Sequence, residues 1–577
     1  MTKVTCDRNP SRVLSALCVG IVLSAFFLET FVPLHIFAAD IAKTTDYSPP
    51  DVYVPIDSWI YPALDRLRGL GYVDLGFLGL RPWTRRSIAD MAEAARLSDG
   101  ILNDPEALEI VAAVLHDFPL SRSWNGPTIQ YDSAYTRTQG IVGTPLRDSY
   151  HLGQTVFGDY GRPYQSGFNL LQGASASAQV GRFSLYFRGE YQHAPHAPGY
   201  PMALAVSLAS NDGVPLTVDA VQATIPTGPI ASVDVFRILE ANASFRVLNN
   251  QISFGKSDHW LGPDRAGSFI YSNNAENRYA LQIDRTNPLS IPFLSRLTGP
   301  FRYMIMVGSL AGHSSPNDPW MHTEKISFMP TENVELGFAR SVIWGGKGHV
   351  PINVHSFIKS FLSFQNVPLT EKESRDDPGA RFSEFDFTWR LPWLRHWATL
   401  YCDTIVHDDV SAVDAPRHAG VRPGVYLAMV PWIRKLDLRV EGANTDPPTG
   451  RSNQGNYLYS EYIQKQGYTN KGFLMGDVAG REGKDGEAWL DYHLSPRETI
   501  DVTYRHTKVA KDFVASGVTQ NSFSIGVQKR LLAQTNVSFK VQQEWWKAPI
   551  YLHGRQSDTS VVLEMKWIPK ERSFRLK

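Results

Sequence analysis

The chain has 577 residues, with 57 Lys and Arg against 57 Asp and Glu, and 12% of it is Phe, Trp or Tyr. So even a balance, with no basic patch, excludes nucleic acid as a partner. The N-terminus reads as a secretory signal peptide over residues 1–39: Lys3, Arg8 and Arg12 precede an uncharged apolar run, Val13 to Leu28, and Ala38 and Ala39 offer a cleavage point. That run is shorter than the roughly 20 residues of a spanning helix. Its removal leaves one cysteine, Cys402, so an exported chain of this kind holds together without an internal disulfide.

Residues 50–120 form the one clearly helical region. "IDSWIYPALDRLRGLG" puts Ile60, Leu64 and Leu67 on one face, with Gly69 or Gly71 to end the helix. "TRRSIADMAEAARL" starts at Thr84, a good N-cap, and "NDPEALEIVAAVLHDF" starts at Asp104 with Pro105 in its first turn. These helices are short and half apolar, so they need a surface to pack on.

From residue 128 to 568 the period is two. "KLDLRVEG" alternates Leu436, Leu438 and Val440 with Asp437, Arg439 and Glu441; "FSEFDFTWRL", "IDVTYRHT" and "TNVSFKVQQE" do the same. Such alternation gives a strand one dry and one wet face. Many runs reach about 9–11 residues, the length a tilted strand needs to cross a bilayer. Tight turns at Ser495-Pro496 and near Ala533 contrast with long connections at 193–230, 344–380 and 445–458. Short turns at one end and long loops at the other are a barrel's pattern, and roughly eighteen to twenty strands fit, an even number being expected. Trp389, Trp393, Trp397, Trp545, Trp546 and Trp567 stand at run ends, where interfacial girdles would place them. In "NVHSFIKSFLSFQ", Val354, Phe357, Ile358 and Phe361 share a helical face, which predicts a loop helix at the barrel mouth. Residues 569–577 are a tail.

The stretch "GKSDHWLGPDRAGSFIYSNNA", Gly255 to Ala275, concentrates polar side chains and glycines. Asp258, His259 and Asp264 lack the spacing of a metal site. Asp408 and Asp409 are adjacent, and adjacent strand residues point to opposite faces. No nucleophile elbow, zinc helix or phosphate loop is present, so no catalytic residues, metal or cofactor are expected. Lys256, Asp258, Trp260, Asp264, Arg265, Tyr271, Asn273, Asn274 and Arg278 supply the aromatic, amide, carboxylate and guanidinium groups that recognise sugars. Two roles stay open for them: saccharide contact, or plugging the lumen through mutual pairing of buried charge. The pattern predicts a loop over "WLGPDRAGS" and a strand resuming at "SFIYSNNA".

Two blocks, "VPIDSWIYPALDRLRGLG" with "LRPWTRRSIADMAEAARL", and "FGKSDHWLGPDRAGSFIYSNNA", resemble the Wzi-type capsule assembly proteins. The likeness extends over about residues 50–568. It implies an all-β transmembrane β-barrel of about 18 antiparallel strands, closed by an N-terminal α-helical periplasmic module. It implies an outer-membrane surface lectin, not an enzyme, retaining exported capsular or extracellular polysaccharide. The implied partners are that polysaccharide, outer-membrane lipid and the barrel insertion machinery. A porin or substrate-specific channel shares every barrel signal and is the alternative.

Overall fold

The structure, a computed structural model, describes residues 51–119, 127–217, 220–364, 367–394, 397–449, 453–569 and 573–575. The expected signal peptide lies outside them.

The alternating segments form one antiparallel sheet that closes on itself through 18 strands. In order they are β1 Thr128–Gly143, β2 Gly167–Val180, β3 Phe183–Ala194, β4 Val233–Val247, β5 Asn250–Lys256 and β6 Tyr279–Arg285. Then come β7 Phe301–Ser309, β8 Trp320–Thr331, β9 Val334–Trp344, β10 Ala380–Arg390, β11 Ala398–His407 and β12 Gly420–Leu427. The last six are β13 Leu436–Asn444, β14 Gly483–Ser495, β15 Glu498–Val509, β16 Val518–Leu532, β17 Thr535–Ala548 and β18 Leu552–Trp567. Closure is by β1, which pairs with β2 on one side and with β18 on the other, from Ala134↔Trp567 to Gly143↔Asp558. A short β19, Ser573–Arg575, continues that seam on Thr128–Gln130.

Period-two alternation decides what each face meets. Asp437, Arg439 and Glu441 of β13 are buried inside, whereas Val440, Leu490, Tyr504, Phe523, Ile525, Phe539 and Leu563 stay exposed outside. Every strand pairs on both sides, so no edge is left to be satisfied by water, which a membrane core lacks. Trp389, Trp393, Trp397 and Trp567 face out as girdle residues should. Trp546 does not: it is buried, and its indole N–H donates to the Thr144 carbonyl at 2.8 Å. The sequence pair Trp545-Trp546 cannot put both rings on one side of a strand.

Tight turns at 181–182, 248–249, 332–333, 496–497 and 533–534 mark one end. Three helices sit there: α1 Ile60–Gly69, α2 Arg85–Arg96 and α3 Pro105–Asp117. Thr84 caps α2 by accepting from Ser87 N, and Asp104 caps α3 by accepting from Ala107 N. Ile60, Leu64, Leu67, Ile88, Val111 and Val114 form their shared core. Their other surface is polar and grips the barrel. Arg66 donates to the Ala428 carbonyl at 2.6 Å, Arg390 donates to Asp74 at 2.7 Å, and Arg497 pairs with Asp117 at 3.0 Å.

The opposite end carries the connections 144–166, 195–232, 257–278, 345–379 and 445–482. The last is longer than the 445–458 that composition suggested, because its interior polar residues turn inward instead of joining a strand. Likewise "SFIYSNNA" is not a strand: the ladder resumes only at Tyr279. The segment 195–232 carries α4, Met202–Asp212, and the segment 345–379 carries α5, Val354–Leu362.

Candidate functional site

The block that follows β5 folds into the lumen. Gly255 starts the departure: its φ is +136°, and a Cβ there would lie 2.0 Å from the Ala241 carbonyl oxygen. The wall then captures the block's backbone. Glu441 of β13 accepts from Arg265 N at 2.7 Å and from Ala266 N at 3.1 Å, and Asp403 of β11 accepts from Phe269 N at 2.9 Å. A loop run through a lumen loses its own backbone partners, and inward carboxylates replace them.

From this position the block joins three separate parts of the chain. To the helices, Arg81 and Trp260 exchange backbone hydrogen bonds at 3.0 and 3.1 Å, and Ile56 N donates to Asp258 at 2.9 Å. To the first long loop, Tyr160 donates its hydroxyl to Asp258 at 2.9 Å, and Gly158 N donates to the Asn274 amide oxygen at 3.1 Å. To the last long loop, Tyr459 and Tyr468 donate to the Phe269 and Ile270 carbonyls, and Asn274 donates to the Leu474 carbonyl.

All nine residues singled out in sequence meet in this plug. Seven are buried: Lys256, Asp258, Trp260, Asp264, Tyr271, Asn274 and Arg278. Lys256 pairs with Glu276 at 2.5 Å, and Arg278 donates to the Met321 carbonyl at 3.1 Å. Tyr271 meets the His259 ring edge-on at 5.2 Å. Burial lowers His259 to about 4, so it is neutral, and its Nε2–H donates to the Gln282 amide oxygen, 2.8 Å away. Burial, and then the Glu441 carboxylate, push Asp264 well above the usual carboxylate range. Arg265 and Asn273 keep open surface. Arg265 pairs with Asp491 and lies over the Trp489 ring at 5.1 Å.

Ionic clusters fill the lumen around the plug. Arg422 reaches Asp477 at 2.6 Å, Asp485 at 3.3 Å and Glu441 at 3.4 Å, all fully enclosed. Lys325 sits between Glu384 and Asp386 at 2.8 and 2.5 Å, and Arg162 holds Glu190 at 2.7 Å. On the helical side of the plug a cavity of about 610 Å³ remains, lined among others by Asp57, Trp59, Arg137, Trp489, Lys540 and Lys566.

Sequence reading missed the staple that ties the outer loops together. His151 bridges Asp148 at 2.9 Å and Asp212, at the end of α4, at 2.8 Å; Arg481 pairs with Asp212 at 2.7 Å. Burial opposes the imidazolium, but the two aspartates outweigh it and raise His151 to about 9. "DSYH", an aspartate three before a histidine, was the only local signal. Arg481 lies hundreds of residues away.

The model of the family described as Capsule assembly protein Wzi matches residues 137–561. The chain belongs to the Wzi capsule assembly family. The Escherichia coli Wzi structure, of an outer-membrane, carbohydrate-binding β-barrel involved in group 1 capsule assembly, superposes with a TM-score of 0.65. It shares 16% identity, and the match covers 91% of this chain and 100% of that one. An uncharacterised 55.8 kDa protein from the cps region of Klebsiella pneumoniae is 25% identical over 172 residues. That match spans 30% of this chain and about a third, 33%, of the Klebsiella protein. The Wzi family and the 18-strand closed barrel expected from the sequence both hold.

Proposed function

We propose that this protein is an outer-membrane lectin that binds exported capsular polysaccharide and retains it at the cell surface, without catalysing a reaction. The match to the Wzi family over 137–561 is the observation that carries this reading. The plug supports it: a lumen crossed by enclosed ion pairs suits a platform for long loops better than a conduit. The helices of 50–120 then form a periplasmic cap, on the end where barrels keep their short turns. The leader 1–39 is removed, and the barrel insertion machinery and outer-membrane lipid are the other partners.

Retention by such a surface is passive. Many weak contacts along one polymer sum to a high effective affinity. In this reading the seven buried residues of the plug set the positions of the outer loops, while Arg265 and Asn273 keep surface for a ligand. The outer loops add exposed groups, such as the Tyr462 ring, 60% exposed, with Lys465 Nζ 5.8 Å from its centroid.

The test is binding of the purified, detergent-solubilised protein to surface polysaccharide from its own producing cells, with Tyr462→Ala and Asp264→Ala/Arg265→Ala variants alongside. The expected result is a several-fold weaker association for Tyr462→Ala with the heat-stable barrel intact. Loss in the double variant alone would return the contact to the plug. No binding by the unaltered protein would overturn the lectin, and a large steady conductance in planar bilayers would then favour a channel.

A further inference from the structure

The outer wall of β8–β10 is polar where lipid should be. Lys325 of β8 points inward to Glu384 and Asp386, so its neighbours His322, Glu324 and Ile326 point outward. The register places Arg340 opposite Glu324, and Phe338 and Phe385 in the row of Ile326. An outward arginine, glutamate and histidine near the long-loop end of the wall would be costly against hydrocarbon, by up to roughly 2–4 kcal/mol for an arginine at mid-depth.

The loop 345–379 answers this by folding over the outside of the barrel, with α5 lying on these residues. The helix is inside-out in polarity. Its buried side chains are Ser356 and Ser360. Ser360 Oγ is 2.8 Å from His322 Nε2, whose Nδ1 is 2.6 Å from Glu324. Ser356 Oγ accepts from the Trp344 indole at 3.4 Å. At the C-terminus Arg340 donates to the carbonyls of Ser360, Phe361 and Ser363 at 3.0, 3.0 and 2.5 Å. These carbonyls lie in the last turn and just beyond it, at the negative end of the helix dipole, where i+4 donors run out; that of Ser360 also accepts from the Ser363 N–H at 3.4 Å. Phe357 and Phe361 flank this contact, with ring centroids 5.4 and 5.9 Å from His322.

On the side of α5 away from the wall runs an apolar stripe, Val354, Ile358 and Leu362, which are 75%, 49% and 53% exposed, with exposed His355 beside it. A surface helix bathed in water shows the reverse arrangement. The stripe continues the exposed belt of the barrel. Beside it lies a small cleft of about 70 Å³ of mixed lining, Ile326, Phe338, Phe361 and Phe364 together with Arg340, Arg381 and Asp408.

The geometry points to α5 as a membrane-embedded lid: Val354, Ile358 and Leu362 lie among the acyl chains of the lipid leaflet on the long-loop side. The lid satisfies the wall's polar groups on one side and presents hydrocarbon on the other. His355, exposed on the remaining flank, faces the headgroup layer, and Lys359 pairs with Glu371 at 3.4 Å and Asp376 at 3.3 Å.

Nitroxide labels at Ile358→Cys and His355→Cys, each in a Cys402→Ser background, test this in the full-length protein reconstituted into phosphatidylcholine–phosphatidylglycerol vesicles. Ile525→Cys on the belt and Tyr462→Cys on the loops serve as references. The expected result is an Ile358→Cys label accessible to oxygen and several-fold protected from a nickel chelate, like that at Ile525→Cys. The label at His355→Cys should resemble that at Tyr462→Cys. Nickel accessibility at Ile358→Cys equal to that at Tyr462→Cys would overturn the proposal, as would exclusion of both reagents. A Val354→Cys label repeats the measurement should Ile358→Cys fail to fold. Polysaccharide binding is a separate readout and does not bear on the outcome.

Discussion

Two segments leave the barrel rim and fold back onto the wall: the plug after β5, into the lumen, and the loop with α5, over the outside. Both turn their polar groups toward the wall, yet they meet opposite partners. The plug's backbone N–H groups meet inward carboxylates, Glu441 and Asp403. The α5 serines and carbonyls meet outward His322 and Arg340. What each leaves exposed differs accordingly, charged Arg265, held by Asp491 of the wall, inside and Ile358 outside. Polarity here follows the medium beyond the segment rather than distance from the centre of the molecule.

The largest effect is expected on the plug side. Arg422→Ala takes the guanidinium from Asp477 and Glu441 in an enclosed space, while Asp485 keeps Arg505 at 2.9 Å, and should cost roughly 3–5 kcal/mol. Denaturant unfolding in detergent would register it as a lower midpoint, and an unchanged midpoint would mean that the ion pairs around the plug add nothing to the barrel. A second effect is on the loop staple. His151 is raised from 6.5 to about 9 in the folded protein. Its stabilisation, about 3 kcal/mol, is therefore complete below pH 6.5 and fades as pH rises to about 9. Hydrogen exchange around Tyr150 and α4 should accelerate over that window, and His151→Gln should flatten the profile. The smallest is on the outside: Ser360→Ala removes one partner of His322 and should cost about 1 kcal/mol, with the barrel's heat resistance retained. A cost as large as that of Arg422→Ala would erase the distinction between plug and lid.

The strands were legible because burial on one face writes itself into every second residue, as in Leu436 to Glu441. Helix starts at Thr84 and Asp104 were legible because a cap acts within three residues. The plug residues were legible as a set but not as a role. Asp258 is satisfied by Ile56, Tyr160 and Asn277, and two of those lie about a hundred residues or more away. Trp546 was misplaced because a girdle and an inward anchor use the same residue type. The staple at His151 was missed because its second aspartate, Asp212, sits beyond a whole hairpin.

The seam has a consequence for the order of events. Arg137 of β1 pairs with Glu564 of β18, 427 residues away along the chain. That closure is among the most distant contacts the polypeptide makes, and loop entropy delays such contacts. Closing the seam fixes the circumference of the ring, and with it the spacing of the inward carboxylates, Glu441 and Asp403, that hold the plug. The contact that bridges almost the whole sequence is thus also the one that sets the fit of the lumen to its contents.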